Sequence, residues 1–244
     1  MNLPVACAVA LLGLVLLRYG AKWLVDGASQ LAAHFHISPL VIGLTVVAYG
    51  TSAPEIVAVI VAVIEGHSQL SIGTVLGSNV ANIGLILGLT AMIAPLAITR
   101  SILNRELPFL IAVTLFLIFI AKGSQFGRGF GLFLVSLMVL YTFVTLRWPR
   151  EKDSRNESKL RHSKLASSML TTVGLLALIG GAQLLVSGAT VVARGVGISE
   201  FVIGVTLVAV GSSIPELATA FEASAKESPD MVVGTVIGSN LINI

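Results

Sequence analysis

Gly43-Leu-Thr-Val-Val-Ala-Tyr-Gly-Thr-Ser-Ala-Pro-Glu55 is answered, 161 residues later, by Gly204-Val-Thr-Leu-Val-Ala-Val-Gly-Ser-Ser-Ile-Pro-Glu216. The same offset carries Gly73-Thr-Val-Leu-Gly-Ser-Asn-Val-Ala-Asn-Ile83 onto Gly234-Thr-Val-Ile-Gly-Ser-Asn-Leu-Ile-Asn-Ile244, with no insertion between. Two matched segments at one constant spacing define an internal repeat, and it organises the chain. Each copy sets polar residues and a Pro-Glu pair inside runs that are otherwise apolar.

Those runs are long. The 244 residues are 55% hydrophobic and 11% charged, with a mean hydropathy of +0.96, whereas soluble domains carry about 25% charged residues. A bilayer takes about 20 residues per helix, which predicts spans at about 3–25, 38–64, 70–97, 106–122, 128–146, 166–193 and 198–224, and a last run opening near Met231. No Lys or Arg precedes the first run, so it reads as a retained helix rather than a cleaved signal. Cys7 stands alone, which excludes an internal disulfide or thiolate metal site.

Spans two and three carry the first copy and spans seven and eight the second. An odd number of crossings separates them, so the second copy is inverted. Inverted repeats of interrupted helices, with substrate bound between them near the midplane, are a recurring plan of secondary transporters. The expected fold is therefore an all-α integral membrane protein, an inverted-repeat transporter bundle. Residues 1–146 form its first half, with the first repeat at 43–83. A basic linker at 147–165 leads to an incomplete second half at 166–244, with the second repeat at 204–244.

The net charge of +3 informs topology. Arg147, Arg150, Lys152, Arg155, Lys159, Arg161 and Lys164 crowd into the linker, diluted by Glu151, Asp153 and Glu157. With Arg18, Lys22, Arg100, Arg105 and Lys226 they fall on one side of the predicted membrane, leaving Lys122, Arg128 and Arg194 opposite. The positive-inside rule makes the linker side cytoplasmic and puts the N-terminus outside. The mixed charge of the linker reads as a solvated loop, so no nucleic-acid partner is expected.

Glu55 and Glu216 are the chemistry-bearing residues, because an ionised carboxylate in a membrane helix costs about 2.5–3.5 kcal/mol on insertion scales. Each follows a proline without an N–H, so the Gly50 and Gly211 carbonyls are expected to lose their helical partners. Thr51 lies four residues before Glu55, and Ser212 four before Glu216, so each pair shares a helix face. Ser52 and Ser213 add hydroxyls at the break, while Ser78 with Asn82 and Ser239 with Asn243 repeat the four-residue spacing on the neighbouring helices. Every donor atom is oxygen, which suits a hard cation: Ca²⁺ accepts about six to eight oxygens in irregular geometry, whereas Mg²⁺ keeps its water. The absence of Cys, Met and His from the cluster disfavours soft metals. Two carboxylates balance one Ca²⁺, or serve several Na⁺ with hydroxyls and carbonyls. Shared ligands of this kind support exchange.

Other polar residues read as bland. Asp26, Glu65, Glu106, Glu200, Glu222, Glu227 and Asp230 fall near predicted helix ends and are expected to be solvated. Gly73-x-x-x-Gly77 and Gly234-x-x-x-Gly238 are small-x-x-x-small patterns that let helices approach. His34, His36, His67 and His162 lie in predicted loops, away from the serines. That arrangement weighs against an intramembrane hydrolase.

The two Gly-[Thr/Ser]-Ser-x-Pro-Glu segments and the two Gly-Ser-Asn-x-x-Asn segments resemble the paired alpha repeats of the sodium/calcium exchanger family, a branch of the calcium/cation antiporters. The resemblance covers nearly the whole chain. It implies ten helices in two inverted five-helix halves, about seven and a half of them present here. It also implies Ca²⁺/Na⁺ antiport by alternating access, with the ions as substrates and no cofactor. Matched by motif, the ion ligands are Thr51, Ser52, Glu55, Ser78, Asn82, Ser212, Ser213, Glu216, Ser239 and Asn243, with main-chain carbonyls at Ala48 and Ala209.

The family plan further implies a location in the bacterial or archaeal cell (inner) membrane, a bilayer environment and no obligatory protein partner. Some relatives carry Asp where this chain has Asn243, which leaves the inner charge to the two glutamates. The second half stops at the counterpart of Ile83, which reads as truncation within the second repeat. Two alternatives stay open: a proton-coupled Ca²⁺ exchanger, and a passive cation channel.

Overall fold

The computed structural model describes residues 1–66, 68–96, 98–121, 127–147, 160–203 and 209–244. Among them every regular element is helical. α1 (Leu3–Phe35) starts where the Asn2 side chain accepts the Val5 N–H at 3.2 Å, with a proline in its first turn, and stops at His36 in a left-handed conformation. Its 33 residues outrun the predicted span of 3–25, because Asp26, Ser29 and Gln30 are polar but do not break a helix.

α2 spans Pro39–Thr51 and bends by 45° at Ser52 into α3 (Ala53–Ile64). Gly43–Val47 of α2 is π-helical. α4 runs from Ser68–Ala81 through π-helical Asn82–Leu87 into Gly88–Ile93. α5 (Ile102–Glu106, then Leu107–Ala121) and α6 (Arg128–Arg147) complete the first half. In the second half come α7 (Lys164–Gly195), α8 (Glu200–Ile203), α9 (Ala209–Gly211), α10 (Ile214–Ala225) and α11 (Pro229–Asn243). Among the described residues five helices, α1, α4, α5, α6 and α7, are long and apolar enough to cross a membrane, and the bent α2–α3 pair qualifies as a sixth. Most of the predicted linker, 148–159, and residues 204–208 of the predicted seventh span lie outside the described residues.

The repeat offset makes α7 the counterpart of α1, and these two helices form the most extensive packing between any described elements. Their backbones nearly touch. A Cβ placed on Gly20 would stand 2.6 Å from the Leu178 nitrogen, and one on its counterpart Gly181 2.8 Å from the Leu17 nitrogen. Approach this close trades side-chain interdigitation for direct backbone contact, as small residues allow between membrane helices. α11 lies at the centre, buried from Met231 to Leu241 and packed against α2, α10 and α4. Its Gly234 and Gly238 lie against the backbone of Leu40 and Leu44, bearing out the small-residue pattern in the second copy. A Cβ on Gly73 or Gly77 would meet no described atom within 4 Å, and the counterpart positions 204–208 lie outside the described residues.

Three acidic side chains expected at solvated helix ends sit elsewhere. Glu106 is 1% exposed and accepts a hydrogen bond from the Tyr141 hydroxyl, whose ring stacks on Phe109 with centroids 4.7 Å apart. Glu222 is 7% exposed and pairs with Arg18 and, at 3.2 Å, with Lys226. Lys226 also pairs at 2.6 Å with Asp26, which lies well inside the lengthened α1. These carboxylates are tolerated because each has a specific partner from a distant part of the chain. Removing the Tyr141 hydroxyl by Tyr141→Phe keeps the ring stack but takes a donor from a buried carboxylate, an expected cost of about 1–3 kcal/mol. A thermal-unfolding midpoint in detergent unchanged from wild type would show that the bond contributes nothing.

Candidate cation site

Both repeats break their helices in the same way. Ser52 (φ −83°, ψ 0°) and Ser213 (φ −87°, ψ 2°) occupy the same sparsely populated bridge region. A proline follows in the first turn of α3 and of α10. That turn also holds Glu55 in one case and Glu216 in the other. A carboxylate in the first turn of a helix faces the positive end of the helix dipole and unpaired backbone N–H groups. Local geometry thus offsets part of the cost of placing charge here.

The expectation of freed carbonyls needs revision. At the first break the Gly50 carbonyl accepts a capping backbone N–H, and Ser52 N–H reaches the Ala48 carbonyl at 3.0 Å. The chain tightens around the proline instead of leaving Gly50 bare. Ala209 begins the short α9, next to undescribed residues.

The carboxylates of one repeat meet the hydroxyls of the other. Ser52 Oγ donates to Glu216 Oε1 at 3.2 Å, with Thr51 beside that carboxylate and Ser212 beside that of Glu55; the Thr51 hydroxyl itself donates to the Ala48 carbonyl at 3.4 Å. Glu55 is 3% and Glu216 1% exposed. Thr51, Ser52, Ser78, Asn82, Ser213, Ser239 and Asn243 are buried as well, and Ser212 is half-buried. Glu55, Ser78 and Asn243 line one cavity of about 430 Å³, otherwise walled largely by apolar residues of α3, α5, α6 and α11. A second cavity of about 240 Å³ lies at the breaks, between Pro54, Pro215, Ser212 and α7. Among the described residues, five buried oxygens of this group have no hydrogen-bond partner: Glu55 Oε2, Glu216 Oε2, Asn82 Oδ1, Ser213 Oγ and Ser239 Oγ. Unpartnered acceptors concentrated between two helix breaks suit a cation, whose ligands are lone pairs.

The profile of the sodium/calcium exchanger protein family matches residues 5–147 and 167–244. The chain belongs to the sodium/calcium exchanger family. It is an integral membrane protein of a transporter family rather than an enzyme family. This exchanger-family chain is 38% identical over 248 residues to the putative antiporter CaxA of Alkalimonas amylolytica, spanning 98% of the chain and 78% of that relative. It is 32% identical over 277 residues to the sodium/calcium exchanger MaX1 of Methanosarcina acetivorans, spanning 97% and 79%. A solved structure of the sodium-calcium exchanger NCX_Mj, soaked with 2.5 mM Na⁺ and 10 mM Sr²⁺, superposes with a TM-score of 0.86 at 37% identity, covering 99% of this chain and 80% of that one. The expected all-helical, inverted-repeat transporter class stands.

Two residues at this family's repeat crossing were missed by sequence reasoning. Asn240 accepts from Asn82 Nδ2 at 3.0 Å through its side-chain oxygen, and from Asn79 Nδ2 at 3.2 Å through its backbone carbonyl. The available signal was that both are the Asn of Gly-Ser-Asn and recur at the repeat offset.

Proposed function

We propose that this protein is a secondary antiporter that exchanges Ca²⁺ for Na⁺, with one site built from both repeats. Glu55 and Glu216 supply the charge that balances Ca²⁺. The hydroxyls of Thr51, Ser52, Ser78, Ser212, Ser213 and Ser239, the amide oxygens of Asn82 and Asn243, and the main-chain carbonyls of Ala48 and Ala209 complete the coordination. The single observation that carries this reading is the hydrogen bond from Ser52 of the first break to Glu216 of the second, 3.2 Å long, among buried oxygens of both repeats. It ties the two carboxylates, 161 positions apart, into one oxygen cluster. Oxygens on opposite sides of one Ca²⁺ are roughly 5 Å apart, given ligand distances of about 2.3–2.6 Å.

Na⁺ as the counter-ion is supported by the neutral hydroxyls around each carboxylate and by the similarity to MaX1 and NCX_Mj, both sodium/calcium exchangers. Exchange follows if Ca²⁺ and Na⁺ compete for these oxygens and the site opens alternately to the two membrane faces. The basic linker side is cytoplasmic and the N-terminus lies outside. In keeping with this, His34 Nε2 near the end of α1 lies 2.8 Å from the His162 carbonyl just before α7, as expected of two ends at one membrane face.

The test is ⁴⁵Ca uptake into proteoliposomes holding the full-length protein. An outward Na⁺ gradient is expected to drive uptake at least tenfold above an equal H⁺ gradient. Uptake driven by H⁺ alone would reassign the coupling ion, and flux persisting with no counter-cation opposite would make the protein a channel.

A further inference from the structure

An asparagine that ligands a cation must offer its oxygen, yet its amide presents an oxygen on one side and an NH₂ on the other. A buried amide with nothing to hold it can turn the wrong end toward the ion. Asn82 is held: its Nδ2 donates to Asn240 Oδ1 at 3.0 Å, which leaves its buried Oδ1 without a protein partner. Asn240 is 1% exposed and is itself fixed from across the repeat boundary, since Asn79 Nδ2 donates to its carbonyl.

We propose that Asn240 and Asn79 are positioning residues that aim the amide oxygens of Asn82 and Asn243 at the cation, each acting from the opposite repeat. The proposal rests on the Ca²⁺ reading of the site and goes beyond its ligand set.

The repeat offset maps Asn82 onto Asn243 and Asn240 onto Asn79. The mirrored bonds are then Asn243 Nδ2 to Asn79 Oδ1, and Asn240 Nδ2 to the Asn79 carbonyl. The three side-chain atoms those bonds require, Asn243 Nδ2, Asn79 Oδ1 and Asn240 Nδ2, are all buried and all lack a partner among the described residues. One lock is engaged and the complementary atoms of its mirror image are present but apart. Leaving a buried amide group unpaired is unfavourable. Three such atoms, matched donor to acceptor, fit a conformation in which the halves exchange shapes and the second lock closes.

The experiment measures KM and Vmax for Ca²⁺ uptake under a Na⁺ gradient by the full-length protein in proteoliposomes. Asn240→Leu removes the acceptor at similar volume and is expected to raise KM about tenfold, the usual scale for losing a group that orients a metal ligand, with Vmax within about twofold. In an Asn82→Asp background the same change is expected to move KM less than about twofold, because a carboxylate offers an oxygen in either orientation. Asn240→Asp keeps an acceptor and is expected not to raise KM. If Asn240→Leu fails to accumulate, Asn240→Ser, too short to reach Asn82, carries the same expectation. A KM unmoved by Asn240→Leu, or raised equally in both backgrounds, would overturn the positioning role while leaving the Ca²⁺ reading intact. Wild-type protein that takes up no Ca²⁺ would overturn both.

Discussion

Glu55→Gln and Glu216→Gln are each expected to abolish Ca²⁺ transport while leaving the fold in place. The amide keeps the shape of the side chain, and at position 216 its oxygen can still accept from Ser52. What it removes is one of the two charges that face the divalent ion. At 4 Å and an effective dielectric of about 20, one charge pair is worth about 4 kcal/mol per unit of charge. A divalent ion doubles that figure, and since 1.4 kcal/mol is tenfold, even half of the total means a loss of Ca²⁺ affinity of at least about a thousandfold. Equilibrium ⁴⁵Ca binding and proteoliposome flux read the effect, and the unfolding midpoint controls for the fold. Normal flux in either variant would mean that the carboxylate is structural.

The second large effect lies away from the ion. Gly20→Leu puts a side chain where even a Cβ would meet the Leu178 nitrogen at 2.6 Å. No rotamer relieves a clash with backbone, so α1 and α7 must separate. Overpacking a core typically costs about 1–3 kcal/mol, and more where backbone rather than a side chain must give way. The expected outcome is loss of monodisperse protein on size exclusion. Gly180→Leu serves as the control on the same helix pair, because a Cβ there meets no described atom within 4 Å. Equal yields of the two variants would show that the close approach is not needed.

The helix breaks were legible in the sequence because proline acts locally. Pro54 and Pro215 stop the backbone ladder whatever surrounds them, and Glu55 and Glu216 come out in the first turn of the following helices as a consequence. The fate of the Gly50 carbonyl was not legible, since a chain can tighten as well as open when a donor is lost. Glu222 was taken for a solvated residue because its partner Arg18 lies 204 positions away, and no local pattern announces such a pair. Asn240 escaped for a related reason: its role depends on which end of the Asn82 amide faces it, a property of two helices and not of either one. Gly13, Gly20 and Gly27 repeat every seven residues and recur at the offset as Gly174, Gly181 and Gly188. That spacing could have been found, although only the partner helix reveals how near the backbones come.

The charged cluster joining α1 to α10 occurs once. At the repeat offset Arg18 becomes Ile179, Lys22 becomes Gln183, Asp26 becomes Ser187, Glu222 becomes Val61 and Lys226 becomes Glu65. A chain whose halves were identical would have two mirror-related conformations of equal energy, each half occupied at rest. This chain lifts that degeneracy. The arrangement that brings Arg18 and Lys226 to Glu222 gains an attraction that its mirror image cannot make, and each 1.4 kcal/mol of difference shifts the resting ratio tenfold. Where the cluster meets the aqueous face of the membrane, raised ionic strength weakens it. Under the alternating access proposed above, the balance between the two conformations is expected to respond to salt through this cluster as well as through the ion in the site.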